Sequence, residues 1–186
     1  VNDTPTTSNK TITMDEDTTY TFTLDDFAFS DVESSELTSI TISNFSNIGI
    51  LSLSGTVTKA QIENGDLTFT PVLDAYGTNY ATFDFTVNDG TDNSTVSSTI
   101  TFDVTDTNDA PTALSWASGG SVAEDEVSTD STKFVVGQLE AIDPNSGDTL
   151  RFVQLTNDKF VITPDGEVQL AQSPTDLDGN DVPLLD

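Results

Sequence analysis

The chain has 186 residues, with 32 Asp and Glu against 5 Lys and Arg, a formal charge of −27, and neither Cys nor His. That balance excludes nucleic acid and anionic membrane surfaces as partners, because both require positive patches. The missing Cys and His remove zinc, copper, haem and iron–sulfur centres, thiol nucleophiles and Ser-His-Asp catalysis, and leave oxygen ligands suited to a hard cation such as calcium.

The chain opens on Asn2-Asp3-Thr4-Pro5, and the same phrase returns as Asn108-Asp109-Ala110-Pro111 at the end of Asp106-Thr107-Asn108-Asp109-Ala110-Pro111. Repetition at the interval of a whole domain marks tandem modules joined by short acidic and amide tracts. Further parallels follow: Glu16-Asp17 with Glu124-Asp125, Asp31-Val32-Glu33 with Asp143-Pro144-Asn145, and Pro71-Val72-Leu73-Asp74 with Pro183-Leu184-Leu185-Asp186. The interval grows by a few residues along the repeat, as inserted loop residues allow. The length fits one or two domains, and the repeat decides for two.

Between the joints the pattern is that of strands. Thr19 to Leu24 alternates Tyr20, Phe22 and Leu24 with threonines; Ala81 to Val87 alternates on Phe83, Phe85 and Val87; Thr99 to Val104 alternates on Ile100, Phe102 and Val104. Period-two alternation rich in Thr, Val, Ile and Phe predicts half-buried strands. Turns fall at Asn64-Gly65-Asp66, Tyr76-Gly77 and Asn88-Asp89-Gly90, and Thr58 to Glu63 reads as one helical turn in a loop. About seven short strands at this spacing predict an immunoglobulin-like sandwich over residues 4–106. In the second domain, Thr112 to Trp116, Lys133 to Leu139, Thr149 to Leu155, Phe160 to Thr163 and Glu167 to Leu170 read as strands. The counterparts of the first domain's last two strands are missing before Asp186. The expectation is a domain truncated there, interrupted by an insertion, or completed by a partner chain, because an open sandwich exposes an apolar edge.

Hydrophobic residues at 34%, with 11 periodically placed Phe, argue against disorder. A halophile-like solvated surface would scatter its acids, whereas many here recur at matching offsets. Each acid taken singly reads as a solvated loop residue; taken together at the joint they read as ligands for cations.

The closing stretch of the first domain, ATFDFTVNDGTDNSTVSSTITFDVTDTNDAP, and the opening of the second, SVAEDEVSTDSTKFVVGQLEAIDPNSGDTLRF, resemble cadherin repeats. The form resembled is the one found in tandem in large bacterial surface and RTX-type adhesins. The first stretch is similar to the family's closing pattern of an Asp-x-Gly hairpin, a strand and then Asp-x-Asn-Asp-x-x-Pro or a near variant, with Asn88-Asp89-Gly90 and Asp106 to Pro111 in those places. The second carries an early Glu, Val-Gly-x-Leu and an Asp-x-Asp-like pair. No Gly-Gly-x-Gly-x-Asp run accompanies them.

The resemblance implies an all-β fold of two tandem immunoglobulin/cadherin-like Greek-key β-sandwiches, the second incomplete. Residues 1–3 would end a preceding joint, 4–106 form the first sandwich, 107–111 a calcium-binding joint, and 112–186 the second. The implied calcium ligands are Glu16, Asp74, Asp106, Asn108, Asp109, Asp143 and Asn145, with carbonyls of Thr107 and Ala110. A half-site at the N-terminus would use Asn2, Asp3, Asp31, Glu33 and Asp89, and Glu124 would serve the next joint downstream. Tyr76 stands where the family's Leu-Asp-x-Glu motif has its glutamate, and Asn145 where a carboxylate is usual. An amide still ligates calcium but adds no charge.

The function implied is a calcium-stiffened extender of an extracellular adhesin on a bacterial cell surface, serving adhesion or biofilm attachment. Its partners would be neighbouring domains of the same chain, with a glycan or surface protein bound through other domains, and no nucleic acid or direct membrane contact. A module that itself binds polysaccharide or a protein is the alternative. Asn-x-Ser/Thr triplets at Asn2, Asn9, Asn44 and Asn93 carry no role, and Asp176 to Asp181 reads as an acidic turn rather than an EF-hand. Trp116 reads as a core or joint-facing residue, though an exposed aromatic could stack on a sugar. No arrangement of side chains marks a catalytic pocket.

Overall fold

Alternation decides which side chains of residues 1–108 turn inward, and those side chains close two sheets over one aromatic core. The computed structural model describes residues 2–33, 36–120, 135–145, 147–153 and 160–170, and divides the chain into two units, Val1–Asn108 and Asp109–Asp186. The first unit contains β1 (Lys10–Asp15), β2 (Tyr20–Thr21), β3 (Ser39–Ser43), β4 (Ile50–Leu51), β5 (Gly55–Thr58), α1 (Lys59–Glu63), β6 (Thr68–Thr70), β7 (Gly77–Asn88) and β8 (Ser98–Thr105). Among the described residues, β1, β8, β7, β3 and β5 make one sheet in that order, and β2, β6 and β4 make the other. β1 runs parallel to β8, from Lys10 opposite Ile100 to Asp15 opposite Thr105, while β7 is antiparallel to both β8 and β3.

Phe83, Phe85 and Val87 of β7 and Ile100 and Phe102 of β8 are completely buried, with Ile12 and Met14 of β1 beside them. Phe69 of β6 comes from the opposite sheet and stacks on Phe102 with ring centroids 4.0 Å apart. Phe22 meets Phe102, Phe83 and Tyr20 edge-on. Such pairs contribute about 0.5–1.5 kcal/mol each beyond the area they bury. The outward positions of the same strands are Thr, Asp and Asn, so one pleat supplies both core and solvated face.

The expected strand from Thr19 to Leu24 is shorter than the alternation predicts. Only Tyr20 and Thr21 pair, and Leu24–Asp26 turns into a 3-10 helix. The Asp26 carboxylate accepts bonds from the Thr23 N–H at 2.7 Å and the Thr23 hydroxyl at 3.1 Å, which holds the chain in the turn instead of the ladder. Lys10 Nζ and the Tyr20 hydroxyl reach Asp26 Oδ1 at 2.7 and 2.8 Å. Burial by itself would push the Asp26 carboxyl up, but the bonds from Lys10, Thr23 and Tyr20 together hold it below the usual carboxylate value. The expected helical turn is present as α1, capped by Thr58, whose hydroxyl accepts from the Gln61 N–H at 3.3 Å.

In the second unit β9 (Ala113–Gly119) pairs with β10 (Val135–Ile142), which pairs with β12 (Glu167–Leu170), which pairs with β11 (Phe160–Ile162), all antiparallel. The expected strand from Thr149 to Leu155 is not formed over 149–153. There the Phe152 N–H bonds the carbonyl of Pro164, which has no N–H to return. Residues 133, 134, 154 and 155 of the expected strands lie outside the described residues, as do Glu124 and Asp176 to Asp181. Trp116 is 46% exposed and faces Leu139 across the ladder; a Cβ at Gly120 would meet its ring at 2.9 Å. With all of β9 exposed, Trp116 is not the core residue that was one of its expected readings.

Candidate metal centre

The parallel pairing of β1 with β8 builds the first cluster. Because Asp15 lies opposite Thr105, the residues leaving the two strands travel together, and the Glu16 N–H bonds the Thr105 carbonyl at 3.0 Å. The Glu16 side chain, 2% exposed, then receives the Thr107 N–H on Oε1 at 2.9 Å. Glu16 and the tract Asp106-Thr107-Asn108 are therefore one structural object at the C-terminal end of β8. Asp17, the next residue, and Asp74, from the segment between β6 and β7, both have left-handed backbones, φ 56° and 54°. Asp and Asn tolerate that region better than other side chains. The Asp74 N–H donates to Asp17 Oδ1 at 3.1 Å, and carboxylate oxygens of the pair lie within 4.8 Å of each other. Tyr76 is 45% exposed nearby in sequence and offers no carboxylate.

The second cluster belongs to the unit that starts at Asp109. Its backbone N–H donates to Asn145 Oδ1 at 2.6 Å, and the Asn145 N–H donates to Asp143 Oδ1 at 2.9 Å. Thr112 N–H bonds the Ile142 carbonyl at 2.8 Å, continuing the β9–β10 ladder to the point where the chain enters this cluster. Asn145 is buried, Asp109 and Asp143 are half-buried, and Ala110 is exposed.

The third cluster lies at the opposite end of the first unit. Residues 2 and 3 precede β1, and Asp89 follows β7, which is antiparallel to β8; the two ends are separated by the length of β8, roughly 25 Å. Here Asn2 Nδ2 donates to Asp89 Oδ2 at 3.1 Å and Asp92 Oδ2 at 3.0 Å. The Asp3 N–H donates to Glu33 Oε1 at 3.1 Å, and the Glu33 N–H to Asp31 Oδ1 at 2.9 Å. The N–H groups of Asp92 and Thr91, at 2.7 and 2.6 Å, hold the Asp89 carboxyl below its ordinary value.

The sequence-derived ligands thus fall into three local groups. Asp89 joins the Asp3–Glu33–Asp31 chain through Asn2, whose Nδ2 donates to both the Asp3 carbonyl and Asp89 Oδ2. Two participants were absent from the expected set, Asp17 and Asp92. The repeated Glu16-Asp17 and Glu124-Asp125 pairs pointed to Asp17, and the Asn88-Asp89-Gly90 turn pointed to the neighbourhood of Asp92.

The sequence profile described as "Cadherin-like domain" matches residues 1–105. Among solved structures, the chain is similar to the EC22–24 segment of mouse cadherin-23, at 20% identity, over 92% of this chain and 55% of that one, with a TM-score of 0.55. It is similar to the EC1–2 segment of human protocadherin-24 in its form II, at 14% identity, over 92% and 78%, with a TM-score of 0.55. It is also similar to the EC1–4 segment of Drosophila N-cadherin, at 15% identity, over 97% and 43%, with a TM-score of 0.52. At these identities the likeness is one of fold. The chain spans 55% of the length of the mouse segment. No curated protein sequence matches the chain significantly.

Proposed function

The chain belongs to the cadherin-like domain family, and from that premise we propose that it is a calcium-stiffened extender module of a bacterial cell-surface adhesin. Cadherin-like domains are in general extracellular, non-enzymatic adhesion modules that bind calcium. No helix among the described residues is long and apolar enough to cross a membrane.

The donor set fits a hard cation. Glu16, Asp74 and Asp106 offer carboxylates, Asn108 and Asn145 amide oxygens, Asp109 and Asp143 further carboxylates, and Thr107 and Ala110 backbone carbonyls. Calcium takes about 6–8 oxygens in flexible geometry, and extracellular modules bind it at about 10⁻⁴–10⁻³ M. The first unit has two basic side chains, Lys10 and Lys59, and both are committed elsewhere, Lys10 to Asp26 and Lys59 to Glu36 and Glu63. Carboxylates gathered at one place repel one another, and a divalent ion reverses that sign. The N-terminal group of Asn2, Asp3, Asp31, Glu33 and Asp89 would complete an equivalent site with a preceding module.

The observation that carries this reading is the buried Glu16 carboxylate holding Thr107 N–H. A charge buried this deeply is ordinarily paired or bound to metal, and this one is fastened to the very tract that leads to the next unit. Calcium would then order the tract and limit bending, leaving a stiff spacer that presents a distal binding domain. Small-angle scattering and thermal melting, each in millimolar calcium and in chelator, test the reading. The expected result is a larger maximum dimension and a higher Tm with calcium. Coincident scattering profiles and equal Tm values would refute it.

A further inference from the structure

We propose that Lys10 pins the first strand across the two sheets, and that this pin sets how long the first unit withstands a pull applied along the chain. It rests on the spacer reading only in taking the pull to act between the chain's two ends, and it requires no calcium.

The topology fixes the direction of loading. The chain enters β1 at Lys10, opposite Ile100, and leaves β8 at Thr105, opposite Asp15. Because the two strands are parallel neighbours, a pull on both ends draws them in opposite directions along their common axis. The six-residue register is then sheared as a whole instead of opening one pair at a time. Among the described residues β1 is an outer strand, held in its sheet by β8. Side chains reinforce both ends of the pairing. Asn9 Oδ1 accepts the Thr99 N–H at 2.9 Å, and the Thr105 hydroxyl donates to the Met14 carbonyl at 3.2 Å.

Lys10 adds a link of another kind, at the residue where the pull enters β1. Its Nζ leaves the five-stranded sheet and reaches Asp26 Oδ1 at 2.7 Å and the Asp25 carbonyl at 3.1 Å, in the turn that follows β2 of the other sheet. The Asp26 side chain is 3% exposed and is itself fastened by Thr23 and the Tyr20 hydroxyl. Sliding β1 along β8 must pull the ammonium from this fixed acceptor and strand a buried carboxylate without its partner, which is costly. Survival under force follows the unfolding rate, and a contact broken on the way to the barrier acts on that rate. Val57 of β5, 1% exposed at the opposite edge of the same sheet, supports the core away from this route.

Constant-force measurements on the full 186-residue chain, held by its two ends in chelator, test the pin alongside urea midpoints of the same variants. Unfolding of the first unit is recognised by the release of roughly 30 nm of chain, at about 3.3–3.6 Å per residue. Lys10→Met should shorten its mean lifetime under force by about tenfold or more, the strength of a hydrogen bond to a charged group expressed as a rate. Asp26→Asn should do the same, and either variant decides the matter if the other fails to fold. Lys10→Arg, which keeps the cation, should recover most of the lifetime. Val57→Ala should lower the urea midpoint yet shorten the lifetime less, for the same loss of midpoint, than Lys10→Met. Wild-type lifetimes in Lys10→Met or Asp26→Asn overturn the pin. So does a loss of lifetime in proportion to that of Val57→Ala, which is general destabilisation. Neither outcome touches the calcium reading, which its own scattering and melting comparison decides.

Discussion

Asp109 gives its backbone N–H to Asn145 Oδ1 at 2.6 Å, and one repeat earlier Asp3 makes the same bond to Glu33 Oε1 at 3.1 Å. The third member is also repeated: Asp143 Oδ1 takes the Asn145 N–H as Asp31 Oδ1 takes that of Glu33. The two clusters share connectivity and differ in charge, since an amide stands in the second where a carboxylate stands in the first. Asn145→Asp should therefore tighten calcium binding to the full chain by roughly threefold to tenfold, because ligand charge count tunes affinity. Calorimetric titration would read this directly, and an unchanged dissociation constant would count against a ligand role for position 145.

Glu16 joins the end of β1 to the tract after β8. Glu16→Ala would remove the acceptor of the Thr107 N–H from a site 2% exposed. Stability in chelator should fall by about 1–3 kcal/mol, the cost of a buried hydrogen bond lost on one side. Urea unfolding in the absence of calcium measures this apart from any metal effect, and the added stability that calcium provides should shrink as well.

The Lys10–Asp26–Tyr20 group makes stability depend on pH at both extremes. The folded Asp26 carboxyl is held below its ordinary value of 3.8, so the stability it contributes is present above that pH and is lost as the pH falls through the lower, folded value. Tyr20 is the reverse case. Burial and then the bond to Asp26 push its hydroxyl from 10.0 up to about 12, so the unfolded chain ionises first and stability declines as the pH rises across that interval. Lys10→Met should cost about 1.5–3 kcal/mol at neutral pH, the range for a hydrogen bond to a charged group. Urea midpoints measured from pH 2 to 12 would show both slopes, with the acid slope reduced in the Lys10 variant.

Phe102 touches Phe69, Phe22, Phe83 and Tyr20 at the centre of the sandwich. Phe102→Ala should destabilise the first unit by about 3–5 kcal/mol, through lost apolar burial plus the cavity left behind. A Tm within two or three degrees of wild type would mean that the two sheets do not share this core.

Much of the first unit was legible residue by residue. Phe83 to Val87 and Ile100 to Val104 announce their inward faces by alternation alone, because the pleat puts every second side chain on one side. The turn at Leu24–Asp26 was not legible in the same way. Tyr20, Phe22 and Leu24 continue the alternation, but Asp26 captures Thr23 and receives Lys10 from another strand, and that partner is visible only after folding. Asp17 was hidden for a similar reason. The resemblance implied a role for its neighbour Glu16 alone, while the contact with Asp74 joins two left-handed residues across 57 positions of chain.

Taken alone, the order of residues determined an acidic all-β chain, the inward and outward faces of its strands, and the oxygen-rich tracts that recur at Asn2 and at Asn108. Those are local properties, set by side-chain period and by the backbone habits of Asp and Asn. The tertiary structure decided which acids meet. Glu16 and Thr107 are 91 residues apart, and they touch because closing the aromatic core lays β1 parallel to β8 and carries the C-terminal ends of both strands to the same end of the sheet.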